Sequence, residues 1–204
     1  MRYIDLAKFD ATPIATSPYD HIVVRDFVRP DRAAEIGADF PHIRQPGSYP
    51  LPAVQAHGAF AALADEMASR GFQAAIERKF DIDLGEAATM FTVRGWCRAE
   101  DGAVHTDSKS KIITVLVYLN EDAWAPFGGR LRLLASDRIE DWAAEIRPDF
   151  GTLLAFRRSD RSWHGHLPFE GPRRSLQMNW VASGRRAAWE QLRHTVSAHA
   201  KKLA

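Results

Sequence analysis

The chain has 204 residues, 46% of them hydrophobic and 26% charged, with 27 Lys and Arg against 26 Asp and Glu. That length suits one compact domain with a real core, and the near-balanced charge lacks the basic excess of a dedicated nucleic-acid binder. The lone cysteine, Cys97, excludes an intramolecular disulfide framework and any multi-cysteine metal site.

Arg2, Asp5, Lys8 and Asp10 interrupt any signal-peptide core in residues 1–20. The longest apolar run, residues 112–119, is too short to span a bilayer. A cytoplasmic protein without a membrane partner is therefore expected. Residues 21–28 (HIVVRDFV) are rich in β-branched side chains and read as a strand. Pro30 then opens a short helix, with Asp31 and Glu35 near its positive end. Residues 40–52 hold Pro41, Pro46, Gly47, Pro50 and Pro52 and read as a loop placed to cover something. Residues 58–79 carry apolar side chains at helical spacing (Phe60, Leu63, Met67), interrupted near Gly71. The pattern changes at Ala88. Residues 89–97, 112–119, 130–134, 151–156 and 175–181 read as short strands separated by Gly and Pro turns, such as Phe127-Gly128-Gly129. Consecutive strands of this kind indicate an antiparallel sandwich or barrel rather than βαβ repeats. From Gly184 the spacing is helical again, with Trp189, Leu192 and Val196 on one face. The expected organisation is a single domain, 1–204: a mainly helical part over 1–87, a β core over 88–182 and a C-terminal helix over 183–204.

Three stretches carry candidate chemistry. In Val104–His105–Thr106–Asp107, strand geometry would project His105 and Asp107 to one side, giving an imidazole and a carboxylate as two legs of a metal site. In Ser162–Trp163–His164–Gly165–His166, either His164 or His166 could be the third leg. Two His and one Asp form the facial triad of non-haem Fe(II) oxygenases, although catalytic zinc can use similar ligands. In the third stretch, 171–181 (GPRRSLQMNWV), an arginine would face back towards the metal, where a buried guanidinium needs a carboxylate or phosphate. Taken alone, each stretch also has a plainer explanation: a chance triplet, a surface loop, and a solvated pair of arginines.

Their order is more informative. His105-x-Asp107, Tyr118-Leu119-Asn120, Gly128-Gly129-x-Leu131-x-Leu133, Ile146-x-Pro148, the 151–156 strand, Trp163-His164-Gly165 and Arg174-Ser175-Leu176 follow one another along the chain. This series resembles the Fe(II)/2-oxoglutarate-dependent dioxygenases, specifically the prolyl-4-hydroxylase-like branch, over residues 88–182. The resemblance implies a mainly β fold with flanking helices and a double-stranded β-helix (jelly-roll, cupin-like) core. It implies His105, Asp107 and His164 as ligands of Fe(II), preferring His164 over His166. It implies Arg174, preferred over Arg173, and Tyr118 as holders of the distal carboxylate of the cosubstrate 2-oxoglutarate. The activity implied is hydroxylation of a C–H bond in a small molecule or peptidyl side chain, consuming O2 and releasing succinate and CO2, with ascorbate as a candidate reductant. The carboxylate of Asp107 favours hydroxylation over halogenation, since halogenating relatives lack it. A cupin-like metal isomerase or hydrolase and a non-catalytic ligand-binding jelly roll are the competing functions.

Other signals carry less. Ser108-x-x-Lys111 matches an acylating motif, but leads into a strand instead of opening a helix. Lys109 and Lys111 read better as a rim that meets an anionic substrate, and Arg157, Arg158 and Arg161 point weakly the same way. Cys97, in an apolar strand, reads as inert.

Overall fold

The computed structural model describes residues 1–120 and 123–182, so the C-terminal helix expected over 183–204 lies outside the described residues. Two antiparallel sheets face each other, and a layer of helices covers the outer face of the larger one. In chain order the elements are α1 (Leu6–Ala11), β1 (His21–Val24), α2 (Ala33–Ala38), β2 (Tyr49–Pro50), α3 (Gly58–Met67), α4 (Arg70–Phe80) and β3 (Ala88–Cys97). There follow β4 (Lys111–Tyr118), β5 (Leu131–Leu134), β6 (Trp142–Ile146), β7 (Leu153–Arg157), β8 (Trp163–His166) and β9 (Gly171–Val181). The large sheet runs β1-β7-β4-β9-β3-β2 and the small one β6-β5-β8. This is the mainly β, jelly-roll core with flanking helices that the sequence predicts.

Period-two alternation sorts each strand between two environments. On β4, Ile113, Val115 and Val117 join a core shared with Phe60, Leu63, Met67, Phe72 and Ile76 of α3 and α4. Thr114, Leu116 and Tyr118 face the small sheet instead. On β9, Leu176, Met178 and Trp180 go to the helices, while Arg173, Ser175, Gln177 and Asn179 line the space between the sheets. Each fully buried large side chain of the helix-covered core contributes about 1.5–3 kcal/mol. Above the site, Tyr19, Tyr118, Leu131, Leu133, Ile146, Leu154 and Phe156 form a second, smaller cluster.

Several boundaries differ from the expected ones for local reasons. The first strand stops at Val24 because Asp26 adopts a left-handed backbone (φ 52°). The expected helix break near Gly71 falls two residues earlier, at Ser69, whose hydroxyl accepts the Phe72 N–H and caps α4. Three elements had no clear signal: the short α1, the edge strand β6, and β8, which carries two candidate histidines. The Pro-rich segment is a loop whose only strand is the two-residue β2 on the edge of β3.

Candidate metal centre

His105 is not in a strand as expected; it makes one isolated bridge, and that bridge is to His164. Each donates its backbone N–H to the other's carbonyl at 3.0 Å, so the two imidazoles emerge side by side with ring centres 4.4 Å apart. Asp107 follows two residues later, its carbonyl held by Arg158 Nε at 3.1 Å. One potential ligand atom from each of His105, Asp107 and His164 lies within 4.8 Å of the others.

Hydrogen bonds orient these groups. His105 Nδ1 lies 2.9 Å from the Ala103 carbonyl and His164 Nδ1 lies 3.0 Å from the Ser162 carbonyl. A carbonyl only accepts, so both rings carry their proton on Nδ1 and leave Nε2 free for a metal. Burial pushes the His164 imidazole down to about 4, with the Asp107 charge opposing. For Asp107, burial would raise the carboxyl, but the Lys111 ammonium, His164 and hydrogen bonds from Lys111 and Thr114 outweigh it and hold it at about 2. A neutral imidazole pair and an ionised carboxylate are the forms that bind a divalent cation, so these three residues fit the metal the sequence implies.

His166 is not brought to this cluster. Its Nδ1 meets the Leu167 carbonyl at 2.8 Å and its Nε2 faces Cys97 Sγ at 3.8 Å. The close packing of Gly102 holds it there, since a Cβ at Gly102 would come within 2.4 Å of both His166 Nδ1 and the His166 carbonyl.

The three residues open into a cavity of about 230 Å³ between the sheets, lined also by Arg94, Asp101, Lys111, Thr114, Leu116, Arg173, Ser175 and Asn179. Of the two candidate arginines, the one lining the cavity is Arg173 and not the preferred Arg174. Alternation along β9 turns Arg173 into the cavity and Arg174 away, where its guanidinium lies 5.1 Å over the Phe40 ring. The Arg174 backbone N–H is pinned by Asn120 Oδ1 at 2.7 Å, which fixes this register. Arg173 is 4% exposed. It donates to the Gly129 carbonyl at 2.9 Å and to the Tyr118 hydroxyl at 3.3 Å. Gly129 suits that place because its φ of +75° is a left-handed conformation and a Cβ there would meet Trp124 at 2.8 Å. Among the described residues no carboxylate pairs with Arg173, so a buried cation faces the cavity and calls for an anionic ligand.

Three lining residues were missed or underused by sequence reasoning. Thr114 Oγ1 sits 2.5 Å from Asp107 Oδ2 and 3.0 Å from Asn179 Oδ1. The hydroxyl has one proton, and the carboxylate takes it. Turning over the Asn179 amide, together with that of Gln177, makes Asn179 the donor to Thr114 and removes its unpartnered buried nitrogen. A chain Asn179–Thr114–Asp107 then aims the carboxylate. Arg94 is the third, paired with Asp101 at 2.7 Å and with Ser48 of the Pro-rich loop at 3.2 Å. A lone Thr, Asn or Arg at one strand position carries no motif, and only strand pairing brings these together.

Residues 95–182 match the family model of the 2OG-Fe(II) oxygenase superfamily. They form a 2OG-Fe(II) oxygenase domain. It is the domain of Fe(II)- and 2-oxoglutarate-dependent dioxygenases, and the triad and Arg173 both lie within it. No curated protein matches the chain. Among solved structures, a Pseudomonas putida prolyl-4-hydroxylase is similar, with a TM-score of 0.56 at 19% identity over 88% of this chain and 99% of that one. The viral collagen prolyl hydroxylase of Paramecium Bursaria Chlorella virus-1, in complex with 2OG, gives 0.56 at 14% identity, covering 80% of this chain and 96% of that one. HygX from Streptomyces hygroscopicus, with nickel and 2-oxoglutarate bound, gives 0.55 at 14% identity over 87% and 85% of the two chains. At these identities the likeness is one of fold. Among the described residues, no helix of the oxygenase domain or its helical layer is long and apolar enough to cross a membrane.

Proposed function

We propose that this dioxygenase hydroxylates a C–H bond of a small molecule or peptidyl side chain, with Fe(II) held by His105, Asp107 and His164 and 2-oxoglutarate held by Arg173 and Tyr118. The observation that carries the reading is the buried guanidinium of Arg173, which has no carboxylate partner among the described residues, sharing a cavity with a preorganised His-Asp-His cluster. A dicarboxylate that binds a metal at one end and Arg173 at the other satisfies both features, and the guanidinium fork suits a carboxylate in bidentate geometry. When bound, iron and 2-oxoglutarate supply the activation of O2, with loss of CO2 and formation of succinate.

The chain's residues supply the rest. The Nδ1 hydrogen bonds of His105 and His164 keep both rings in the metal-binding tautomer. Thr114 holds Asp107 Oδ2. The Tyr118 hydroxyl stays protonated, because burial raises it despite the opposing Arg173 charge, and so it can donate to a carboxylate. Leu116, Leu131 and Phe156 give the cavity apolar walls that exclude water from the reacting atoms. The prolyl-hydroxylase structures raise the prospect of a peptidyl proline, but fold does not select the substrate.

The test is succinate formation from 2-oxoglutarate in air with added Fe(II). The native chain forms succinate, and a C–H substrate accelerates it. His164→Ala and Asp107→Ala abolish it, while His166→Gln retains it. Metal-dependent turnover of a substrate without oxygen or 2-oxoglutarate would instead favour an isomerase or hydrolase.

A further inference from the structure

Among the described residues, five side chains lining the cavity carry full charges: Arg94, Asp101, Asp107, Lys111 and Arg173. Arg94 is satisfied by Asp101, which sits 2.7 Å away and is itself 10% exposed. On the dioxygenase reading, Arg173 takes the distal carboxylate of 2-oxoglutarate. Lys111 remains. Its ammonium lies 2.7 Å from Asp107 Oδ1, with side chains only 12% and 7% exposed. The same single carboxylate must also serve a divalent cation, whose charge it only half compensates. With metal and cosubstrate bound, the described lining residues therefore keep one positive charge in excess, beside a nearly dry ammonium.

Lys111 is in the cavity because of a specific backbone irregularity. Residues 111 and 114 are an odd number apart, and a regular strand would turn them to opposite faces. The pairing of β4 with β9 shifts register between Lys111 and Ile113, and this bulge places Lys111 on the same side as Thr114 and Leu116. The other basic residues near the site are committed elsewhere. Arg157 caps the end of α4 through the Phe80 carbonyl, and Arg158 binds the Asp107 carbonyl and Asp160. Lys109 and Arg161 are exposed and do not line the cavity.

We propose that Lys111 recognises the substrate through an oxyanion, so that the substrate is a carboxylate- or phosphate-bearing molecule whose anionic group sits beside Asp107. This rests on the dioxygenase reading and narrows it. The oxidised carbon lies near the anionic group along the substrate, because Lys111 touches a metal-binding residue directly.

The experiment compares the native chain with Lys111→Arg and Lys111→Met, each loaded anaerobically with Fe(II) and 2-oxoglutarate. Tryptophan fluorescence follows titration with acetate and, separately, methyl phosphate at constant ionic strength. The native chain should bind one of the two saturably, and the better ligand tells carboxylate from phosphate. Lys111→Arg should retain that binding within about threefold, and Lys111→Met should weaken it roughly tenfold or more, the scale of a charge-assisted hydrogen bond. Equal anion binding by the native chain and Lys111→Met would overturn the proposal, as would no binding of either anion by a native chain that takes up Fe(II) and 2-oxoglutarate. Failure of the native chain to take up Fe(II) and 2-oxoglutarate overturns the dioxygenase reading and, with it, the role of Lys111. Thermal unfolding of each variant separates loss of the anion from loss of the fold.

Discussion

Adjacent arginines in sequence, Arg173 and Arg174, have opposite fates because a strand alternates, and only Arg173 lines the cavity. Arg173→Ala should raise the KM for 2-oxoglutarate by about 10–100-fold, while Arg174→Ala should leave it within about threefold. Steady-state succinate assays on both variants check this. Thr114→Val should weaken metal binding by about 10–100-fold, as loss of a partner that orients a ligand does, measured by Fe(II) titration without cosubstrate. Protons should act on the fold as well. Burial holds the His164 and His166 imidazoles at about 4, whereas an unfolded chain protonates them near ~6.5. The unfolded state then takes up protons first, so the stability of the metal-free protein should fall from pH 6.5 towards 4, by on the order of a few kcal/mol. Asp107, held at about 2, adds its loss only at still lower pH. Urea unfolding in EDTA at pH 7, 5.5 and 4.5 shows this slope, and His166→Gln should make it shallower. At this scale the sequence reveals the His105, Asp107 and His164 set through its ordered motifs. It cannot tell Arg173 from Arg174, since the choice depends on the exact phase of β9, which Asn120 fixes from another part of the chain.

Elements whose residues alternate or repeat cleanly were legible, and those defined by their partners were not. The strands β3 and β4 carry enough β-branched and aromatic side chains to be read directly, β9 is legible only from Ser175 onwards, and α3 and α4 show their apolar stripes. By contrast β8 holds Trp, Gly and two His, a composition that suggests a loop; it becomes a strand by pairing with β5, from Leu131 opposite His166 to Leu134 opposite Trp163. Edge strand β6 likewise forms against β5, from Leu131 opposite Ile146 to Leu134 opposite Trp142. The approach of His166 to the turn at Gly102 is one such partner-defined contact. Gly102→Ala would drive a Cβ into the His166 ring and carbonyl, and should cost about 1–3 kcal/mol. Its denaturant midpoint, set against that of Gly85→Ala at an exposed turn, measures that cost.

Over the whole molecule, the site sits on one face of the large sheet and most of the apolar core on the other. The N-terminal helices thus pack on the other face of the sheet and line no part of the cavity. Phe60, fully buried in α3, belongs to the helix-covered core and does not line the cavity. Phe60→Ala should cost about 3–5 kcal/mol of stability while leaving the KM for 2-oxoglutarate of the folded protein unchanged. Thermal unfolding alongside kinetics separates the two effects. The single cysteine noted at the outset agrees with a centre built from nitrogen and oxygen donors, and Cys97 lies behind it, its thiol raised by burial against the charges of Arg173 and Arg94.

The central claim is that one cavity binds a metal through His105, Asp107 and His164 and 2-oxoglutarate through Arg173. Anaerobic titration of the protein with Fe(II) and then 2-oxoglutarate, followed by visible absorption, tests it most directly. A metal-to-ligand charge-transfer band that saturates at one equivalent of iron, is lost in His164→Ala, shifts to much higher 2-oxoglutarate in Arg173→Ala and is unchanged in Arg174→Ala is the expected result. No band in the native protein, or a band indifferent to Arg173, would contradict it.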